Sequence, residues 1–433
     1  MFFFIQFNGD ILEIINKILW SIAISIIIIN SIYFSIKLKY PQFKIINTIK
    51  SIKKSKKNND ISPKDTLVIA LSSKIGVGSL SGTALSIHYG GIGTVFWMLL
   101  STFLLSIINY IENALAIIYK EKNISGPQYY IKKGLNNKVL SISYSIIVLI
   151  LYIFLFSSIQ SNTITTLTNE TYHINKVLIS LIITSATFIT ITKGIKGISK
   201  ACNKLFSIMM TMFILLGVLV IIKNLKEIPY IAYLITTNAF NSKSIKGGLI
   251  STVIISFQKT VFANEAGVGT SAIISGSTSS NDYHLQAKIG IIQTYFINFI
   301  VLLITSLIII TSKTSNLNII NGIELTKEAF SYHFGPFGEQ LLLIILTLFS
   351  FSTLITIYYY GESSLTFLTK NNKVLNILKY ITLISIFIGG IIKATMIWSL
   401  IDIFLAMLTI INMYSIYKLK NIIILKLSKK WYN

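Results

Sequence analysis

Charged residues are scarce in this chain of 433 residues: they make up 12% of it, and all 38 basic residues are lysine. There is one cysteine, Cys202, and there are only five prolines. A lone cysteine excludes an intramolecular disulfide and a thiolate metal cluster. The low charge and a hydrophobic content of 53% exclude a soluble enzyme. The sequence predicts no cofactor.

Apolar tracts long enough to cross a membrane fill most of the chain. They predict an all-α integral membrane protein with about eleven transmembrane helices, one leading helix and ten more. The predicted spans lie near 14–36, 65–89, 91–119, 139–168, 177–192, 205–222, 247–280, 285–312, 339–368, 374–392 and 394–417.

Lysines are concentrated in the connections between these tracts, which predicts the orientation of the protein in the membrane. The tract 37–64 carries nine lysines and one acidic residue, so we expect it to face the cytoplasm. The N-terminus is then outside, the C-terminus is cytoplasmic, and the location is the inner (plasma) membrane. The net charge of +23 therefore indicates topology and a lipid environment, not a partner nucleic acid.

The number of predicted spans also indicates how the chain is divided. Residues 1–64 form the leading helix and a basic connection, and residues 65–433 form the core with a short basic tail. Ten core spans divide into a first repeat at about 65–222 and a second at about 247–417. An odd number of spans per half inserts the second half upside down, which predicts an inverted repeat of five plus five.

Two glycine-rich interruptions lie in the first span of each half, at Gly76 to Ser79 and at Gly267 to Thr270. A break inside a membrane helix frees backbone groups that hydrocarbon cannot satisfy. Paired breaks at matching positions are typical of secondary transporters, which bind substrate and coupling ion between discontinuous first and sixth core helices. The simpler alternative is that small residues only allow close helix packing.

Several motifs follow in a fixed order from about residue 65 to 410. They include Gly76-Val77-Gly78-Ser79, Gly90-Gly91-Ile92-Gly93-Thr94-Val95-Phe96-Trp97-Met98, Gly126-Pro127-Gln128-Tyr129-Tyr130, Gln160-Ser161-Asn162, Phe262-Ala263-Asn264-Glu265-Ala266-Gly267-Val268-Gly269, and Phe351-Ser352-Thr353. Together they resemble the alanine or glycine:cation symporter family. The resemblance implies a leucine-transporter-like fold and sodium-coupled uptake of small neutral amino acids.

An amino-acid zwitterion needs donors for its carboxylate and acceptors for its ammonium, and the ends of broken helices present both. Glycines let such a substrate approach the backbone, and neighbouring hydroxyls and amides add polar contacts. The predicted substrate-binding residues are Gly76, Gly78, Ser79, Ser81, Gln160, Phe262, Asn264, Gly267, Gly269 and Thr270. For Gln160 an ordinary interhelical hydrogen bond is the alternative.

By analogy with the implied fold, a sodium ion would bind between the first broken helix and the eighth core helix. The carbonyls of Ser72 and Ile75 would face the hydroxyls of Ser352 and Thr353, since sodium prefers oxygen ligands. Serine and threonine in membrane helices also bond their own backbone, which is the alternative here.

Four ionisable residues lie deep in apolar tracts: Lys74, Glu112, Lys259 and Glu265. Such groups are costly in lipid and face a cavity or a partner, so we interpret them as structural or gating ion pairs near the breaks. A proton relay is the alternative.

Three positions depart from the family pattern. Ser79 replaces asparagine, Ile92 replaces proline and Ala263 replaces serine, which puts substrate preference, cation affinity and activity in doubt. The leading hypothesis is sodium-driven symport of alanine or glycine by alternating access. A proton-coupled carrier of another small metabolite, a poorly active family member, a passive channel and a non-transporting scaffold are the alternatives.

Overall fold

The computed structural model describes residues 2–53, 61–240, 248–314, 322–392 and 395–428. Part of the basic tract and the end of the C-terminal tail lie outside these ranges. The helices are α1 (Phe2–Lys37), α2 (Ile45–Lys53), α3 (Pro63–Lys74), α4 (Val77–Gly90), α5 (Thr94–Ile118), α6 (Pro127–Gly134), α7 (Lys138–Val148), α8 (Ser157–Tyr172), α9 (Lys176–Ile191), α10 (Gly194–Lys223), α11 (Ile228–Ala239), α12 (Gly248–Asn264), α13 (Thr270–Gly276), α14 (Tyr283–Phe296), α15 (Leu303–Ser312), α16 (Gly322–Phe334), α17 (Gly338–Leu368), α18 (Asn372–Ile391), α19 (Thr395–Lys418) and α20 (Lys420–Ser428).

The described residues include eight helices that are long and apolar enough to cross a membrane, or nine if α3 and α4 form one bent span. Two further predicted spans correspond to α9, which has 16 residues, and to α12, which has 17 and is followed by the short α13. An all-α membrane protein is therefore confirmed, whereas the count of eleven and the inverted repeat stay predictions.

Local sequence explains where these helices begin. Ser62 and Asp65 form a capping box at the start of α3, with the Ser62 hydroxyl accepting from the Asp65 amide at 3.2 Å. Pro63 occupies the first helical position, where no amide hydrogen is needed. The other four prolines also lie in the first turn of a helix or in a 3-10 turn, namely Pro41, Pro127, Pro229 and Pro336. Proline is thus a boundary residue here.

Two π-helical segments join helices that the sequence predicts as single straight spans. Leu149–Phe156 connects α7 to α8, and Ile297–Leu302 connects α14 to α15. Neither segment contains glycine or proline, so composition alone could not reveal them. Such bulges are frequent at functional sites, and the first of them leads into the helix that carries Gln160.

The interior of the bundle forms around the broken helices. Helix α5 packs along α14, and α17 packs against α3, α8 and α10. Helix α1 packs against α19 and α5 at the edge of the bundle. This arrangement places both glycine interruptions among fully buried side chains.

Candidate functional site

The first interruption separates α3 from α4, which meet at an angle of 51°. Gly76 has an extended backbone, with φ −136° and ψ −160°, so its conformation does not require glycine. The limited space does require glycine, because a Cβ atom there would lie 2.8 Å from Thr353 Oγ1 and 3.1 Å from Gln160 Nε2. The break therefore faces two of the predicted site residues at close range.

The oxygens of the predicted sodium site lie together beside this break. The hydroxyls of Ser352 and Thr353 are 3.1 and 3.3 Å from the Ser72 carbonyl oxygen. Both also lie within hydrogen-bond distance of the Phe349 carbonyl in their own helix. Each hydroxyl has one hydrogen, so it can donate to only one carbonyl at a time. Ile75 ends α3 at the break, where its carbonyl leaves the helical course.

Gln160 of α8 completes the group around Gly76. Its side chain is 2% exposed, and its Oε1 has no hydrogen-bond partner among the described residues. A buried acceptor without a partner is costly. It lies close to the Gly76 backbone, so it is suited to accept a hydrogen bond from a cationic group bound at the break.

An aromatic cluster covers the same break at Gly78. A Cβ atom at Gly78 would overlap the ring of Phe262. That ring stacks on Phe156 with centroids 5.7 Å apart, and it lies 5.9 Å from Trp398. The glycine thus allows an aromatic side chain from α12 to touch the backbone of α4, and the cluster limits the size of any ligand there.

The second interruption has a different environment. Glu265, Gly267 and Gly269 have positive φ angles of 50°, 94° and 100°. The Gly267 amide donates to Glu112 Oε1 at 3.0 Å, and the Gly267 carbonyl accepts from Asn412 at 2.9 Å. Protein side chains therefore take over the backbone groups released at this break.

Protein side chains surround both glycines, and their role in substrate binding stays a prediction. A Cβ atom on Gly269 would meet Pro127 and the Tyr144 hydroxyl, whereas one on Gly267 would meet only side-chain atoms of α1 and α19 at 3.5–3.6 Å. Tyr144 also donates to the Val268 carbonyl at 2.7 Å. The glycines serve the turn itself, because positive φ favours glycine; the geometry offers no support for a substrate contact.

Four other predicted binding residues are hydrogen-bonded or packed within the protein. Ser79 donates to the Lys74 carbonyl at 2.8 Å, and Thr270 donates to Glu265 at 2.7 Å. Asn264 donates to the side chain of Asn298. Ser81 packs against α16, where a Cβ atom on Gly322 would contact it. Gln160 and Thr353 thus meet at Gly76, whereas these four residues contact other parts of the protein. Asn264 Oδ1, like Gln160 Oε1, has no hydrogen-bond partner among the described residues.

Among the described residues, one of the four predicted ionisable residues, the partly buried Lys259, forms an ion pair. Lys259 pairs with Asp402 of α19 at 3.2 Å, which the sequence analysis missed although Asp402 is the only acid in that tract. Lys74 instead donates to Ser271 and, at 3.5 Å, to Gln293. Lys74 bridges the first break to α13 and α14 through neutral groups.

The two buried glutamates also bind neutral donors. Glu265 accepts from the Tyr152 and Tyr360 hydroxyls at 3.0 and 3.4 Å. Glu112 accepts from Asn412 at 2.6 Å besides the Gly267 amide. No group of three or more His, Cys, Asp or Glu side chains suited to a metal ion occurs among the described residues.

Proteins similar to this chain in sequence are named as transporters. A probable sodium/glutamine symporter, GlnT of Bacillus subtilis (strain 168), is 29% identical over 431 residues, covering 96% of this chain and 90% of that protein. A sodium/proton-dependent alanine carrier protein of Bacillus sp. (strain PS3) is 29% identical over 381 residues, covering 82% and 85%.

The fold and the family are shown by two further comparisons. The crystal structure of a manganese transporter of Eremococcus coleocola matches with a TM-score of 0.55 at 13% identity, over 82% of this chain and 75% of that one. It shows a fold shared with leucine-transporter-like carriers. The model of the sodium:alanine symporter family matches residues 5–433, and the chain belongs to that family.

Proposed function

We propose that this protein takes up alanine or glycine together with sodium across the plasma membrane by alternating access. The observation that carries the proposal is the meeting of Gly76, Gln160 and Thr353 at the first break. Thr353, a predicted ion ligand, and Gln160, whose Oε1 has no hydrogen-bond partner among the described residues, approach the same backbone position, which supports the proposal. The family and the printed names of its relatives support coupled amino-acid transport.

In this proposal the substrate carboxylate binds near the N-terminus of α4, where backbone amides point along the helix axis. Its ammonium binds Gln160 Oε1, the acceptor without a partner. The Phe262 ring lies against Gly78, so we expect a substrate bound beside this backbone to have a short side chain. Alanine and glycine meet that size limit.

Sodium binds next to the substrate, between α3 and α17. The hydroxyls of Ser352 and Thr353 turn from the Ser72 carbonyl, so that all three oxygens face the ion. The carbonyl of Ile75 is the fourth ligand. Because the ion joins the broken helix to α17, its binding stabilises one arrangement of the two elements, and substrate binding next to it becomes tighter.

A proton-coupled carrier is a second candidate, and one observation favours it. Lys74, Glu112 and Glu265 are buried near the two breaks and bind mainly neutral groups, so they could exchange a proton during transport. Counterflow of radiolabelled alanine in proteoliposomes separates the candidates. Saturable counterflow that requires sodium supports our proposal. Counterflow that needs no sodium, together with net uptake driven by a proton gradient, would replace it with the second candidate.

The Thr353 hydroxyl provides a specific prediction on ion coupling. In the Thr353→Ala variant one sodium ligand is lost, so we expect the half-saturating sodium concentration to rise about tenfold, since one bond to a charged group contributes about 1.5 kcal/mol or more. Maximal uptake at saturating sodium should change much less. The control is Thr382→Ala, which removes a buried hydroxyl that bonds only its own helix at 2.8 Å. Identical sodium curves for both variants would remove Thr353 from the site.

We also propose that the N-terminus is outside and the C-terminus cytoplasmic. Lys50 of α2 and Tyr172 at the end of α8 are both exposed. We expect cysteines at these two positions, in a Cys202→Ser background, to react with a membrane-impermeant maleimide from opposite sides. Lys50→Cys should require broken cells, and Tyr172→Cys should react in intact cells. Labelling of both from one side would overturn the predicted number of spans between them.

A further inference from the structure

We propose that residues 39–53, here called the surface arm, bind anionic phospholipid of the cytoplasmic leaflet. The arm comprises the turn after α1 and helix α2. One face of it is fixed to the protein: Thr48 and Ile52 are buried, and the Tyr295 hydroxyl donates to the Gln42 carbonyl at 3.1 Å. The arm is therefore an ordered surface whose other face is available to a partner.

That other face is apolar and continues a surface that already faces lipid. Phe43, Ile46 and Ile49 are 59%, 71% and 42% exposed and follow one another at three-residue spacing, which aligns them along one side of the arm. On α1, Ile29, Ile32, Ile36 form a similar exposed row. Helix α1 is apolar enough to span the membrane, so its exposed row contacts acyl chains. The arm extends this row at the membrane boundary.

The charge of the arm selects the kind of lipid. Residues 39–53 contain four lysines and no acidic residue. Lys50 is exposed and lies four residues after Ile46, on the same side of α2. Lysine stems lie along apolar surface while their ammonium groups reach the headgroup region. An apolar stripe flanked by lysines is the pattern of helices that lie in the interface of anionic membranes.

A phospholipid with a negative headgroup can contact both the apolar row and the lysines of the arm. A nucleic acid or an acidic soluble protein would contact the lysines and leave the apolar row in water. Bound lipid would also hold α14 in place, because the arm is attached to it through Tyr295. Gln293 on the same helix accepts from Lys74 at the first break. The arm thus connects the lipid composition of the leaflet to an element next to the transport site.

The test measures lipid contact directly and does not depend on transport. The full-length protein with Cys202→Ser and Ile46→Cys is labelled with a bimane fluorophore and placed in vesicles that contain brominated phosphatidylglycerol or brominated phosphatidylcholine. We expect phosphatidylglycerol to quench the fluorophore at a several-fold lower mole fraction. A bimane at Ile32→Cys on α1 should be quenched without a strong preference between the two lipids, since it lies among acyl chains.

Neutralising the lysines separates charge from apolar contact. In the double variant Lys44→Gln with Lys50→Gln, the preference for phosphatidylglycerol should fall by about fivefold for each lysine, which corresponds to about 1 kcal/mol each. Lys226→Gln, an exposed lysine near α11, should leave the preference unchanged. Equal quenching by both lipids in the unmodified arm, no quenching by either, or a preference that survives the double variant would each overturn the proposal.

Discussion

Uptake by a Gly76→Ala variant should fall at least about a hundredfold. Its methyl group would lie 2.8 Å from Thr353 Oγ1 and 3.3 Å from Gln160 Oε1, where we place the ion and the substrate ammonium. Displacing two charge-assisted contacts of about 1.5–3 kcal/mol each accounts for this loss. The backbone of Gly76 is extended and suits alanine, so the change acts through space and not through strain. Initial uptake of radiolabelled alanine per folded molecule is the measurement.

Gly82→Ala is the matched control, because it adds the same methyl group to the same half-span. The nearest atom to a Cβ there is Lys259 Cδ at 3.9 Å, an ordinary contact. We expect uptake close to that of the unmodified protein. If Gly76→Ala and Gly82→Ala transported equally well, the space beside Gly76 could not be the binding site, and close helix packing would explain the glycines better.

The second large effect concerns stability. In a Glu112→Ala variant the Gly267 amide and the Asn412 side chain lose a buried acceptor, at a cost of about 1–3 kcal/mol for each unsatisfied donor. We therefore expect the midpoint of thermal unfolding of the purified protein to fall by on the order of 10 °C. Lys74 also loses a nearby negative charge.

Glu339→Ala serves as the comparison. This glutamate is on the surface, with its nearest cation, Lys327, 3.8 Å away, and exposed pairs contribute about 1 kcal/mol or less. Its unfolding midpoint should stay near that of the unmodified protein. Equal midpoints for the two variants would show that Glu112 does not stabilise the second break.

The positions of both breaks could be predicted because glycine pairs interrupt apolar tracts at corresponding places, and that signal is local. The residues that bind the backbone at the breaks could not be predicted. Gly267 is bound by Glu112 and Asn412, which are 155 and 145 residues away in the chain. Apolar periodicity gives the existence of such helices but not which faces meet. The sequence therefore predicts one site shared by both breaks, and in the structure Gln160 and Thr353 approach the first of them.

Whether a residue lies within a matched motif also does not predict which atoms surround it. Gly217 lies outside every matched motif, which suggests that it tolerates a larger side chain. In the structure a Cβ atom there would overlap Ile304. Conversely, Ser79 lies within a motif and is a predicted substrate-binding residue, yet its hydroxyl donates a hydrogen bond to the Lys74 carbonyl. Packing across the bundle depends on contacts between distant segments, and a pattern within one segment does not contain that information.

The central claim is that sodium and the amino acid bind side by side at the first break. Equilibrium binding of radiolabelled alanine to the purified protein, measured over a range of sodium concentrations with choline as the replacement cation, tests it most directly. The account predicts that the alanine affinity rises with sodium in the unmodified protein and in Gly82→Ala, and that binding is lost in Gly76→Ala. An alanine affinity independent of sodium, or normal sodium-dependent binding in Gly76→Ala, would contradict it.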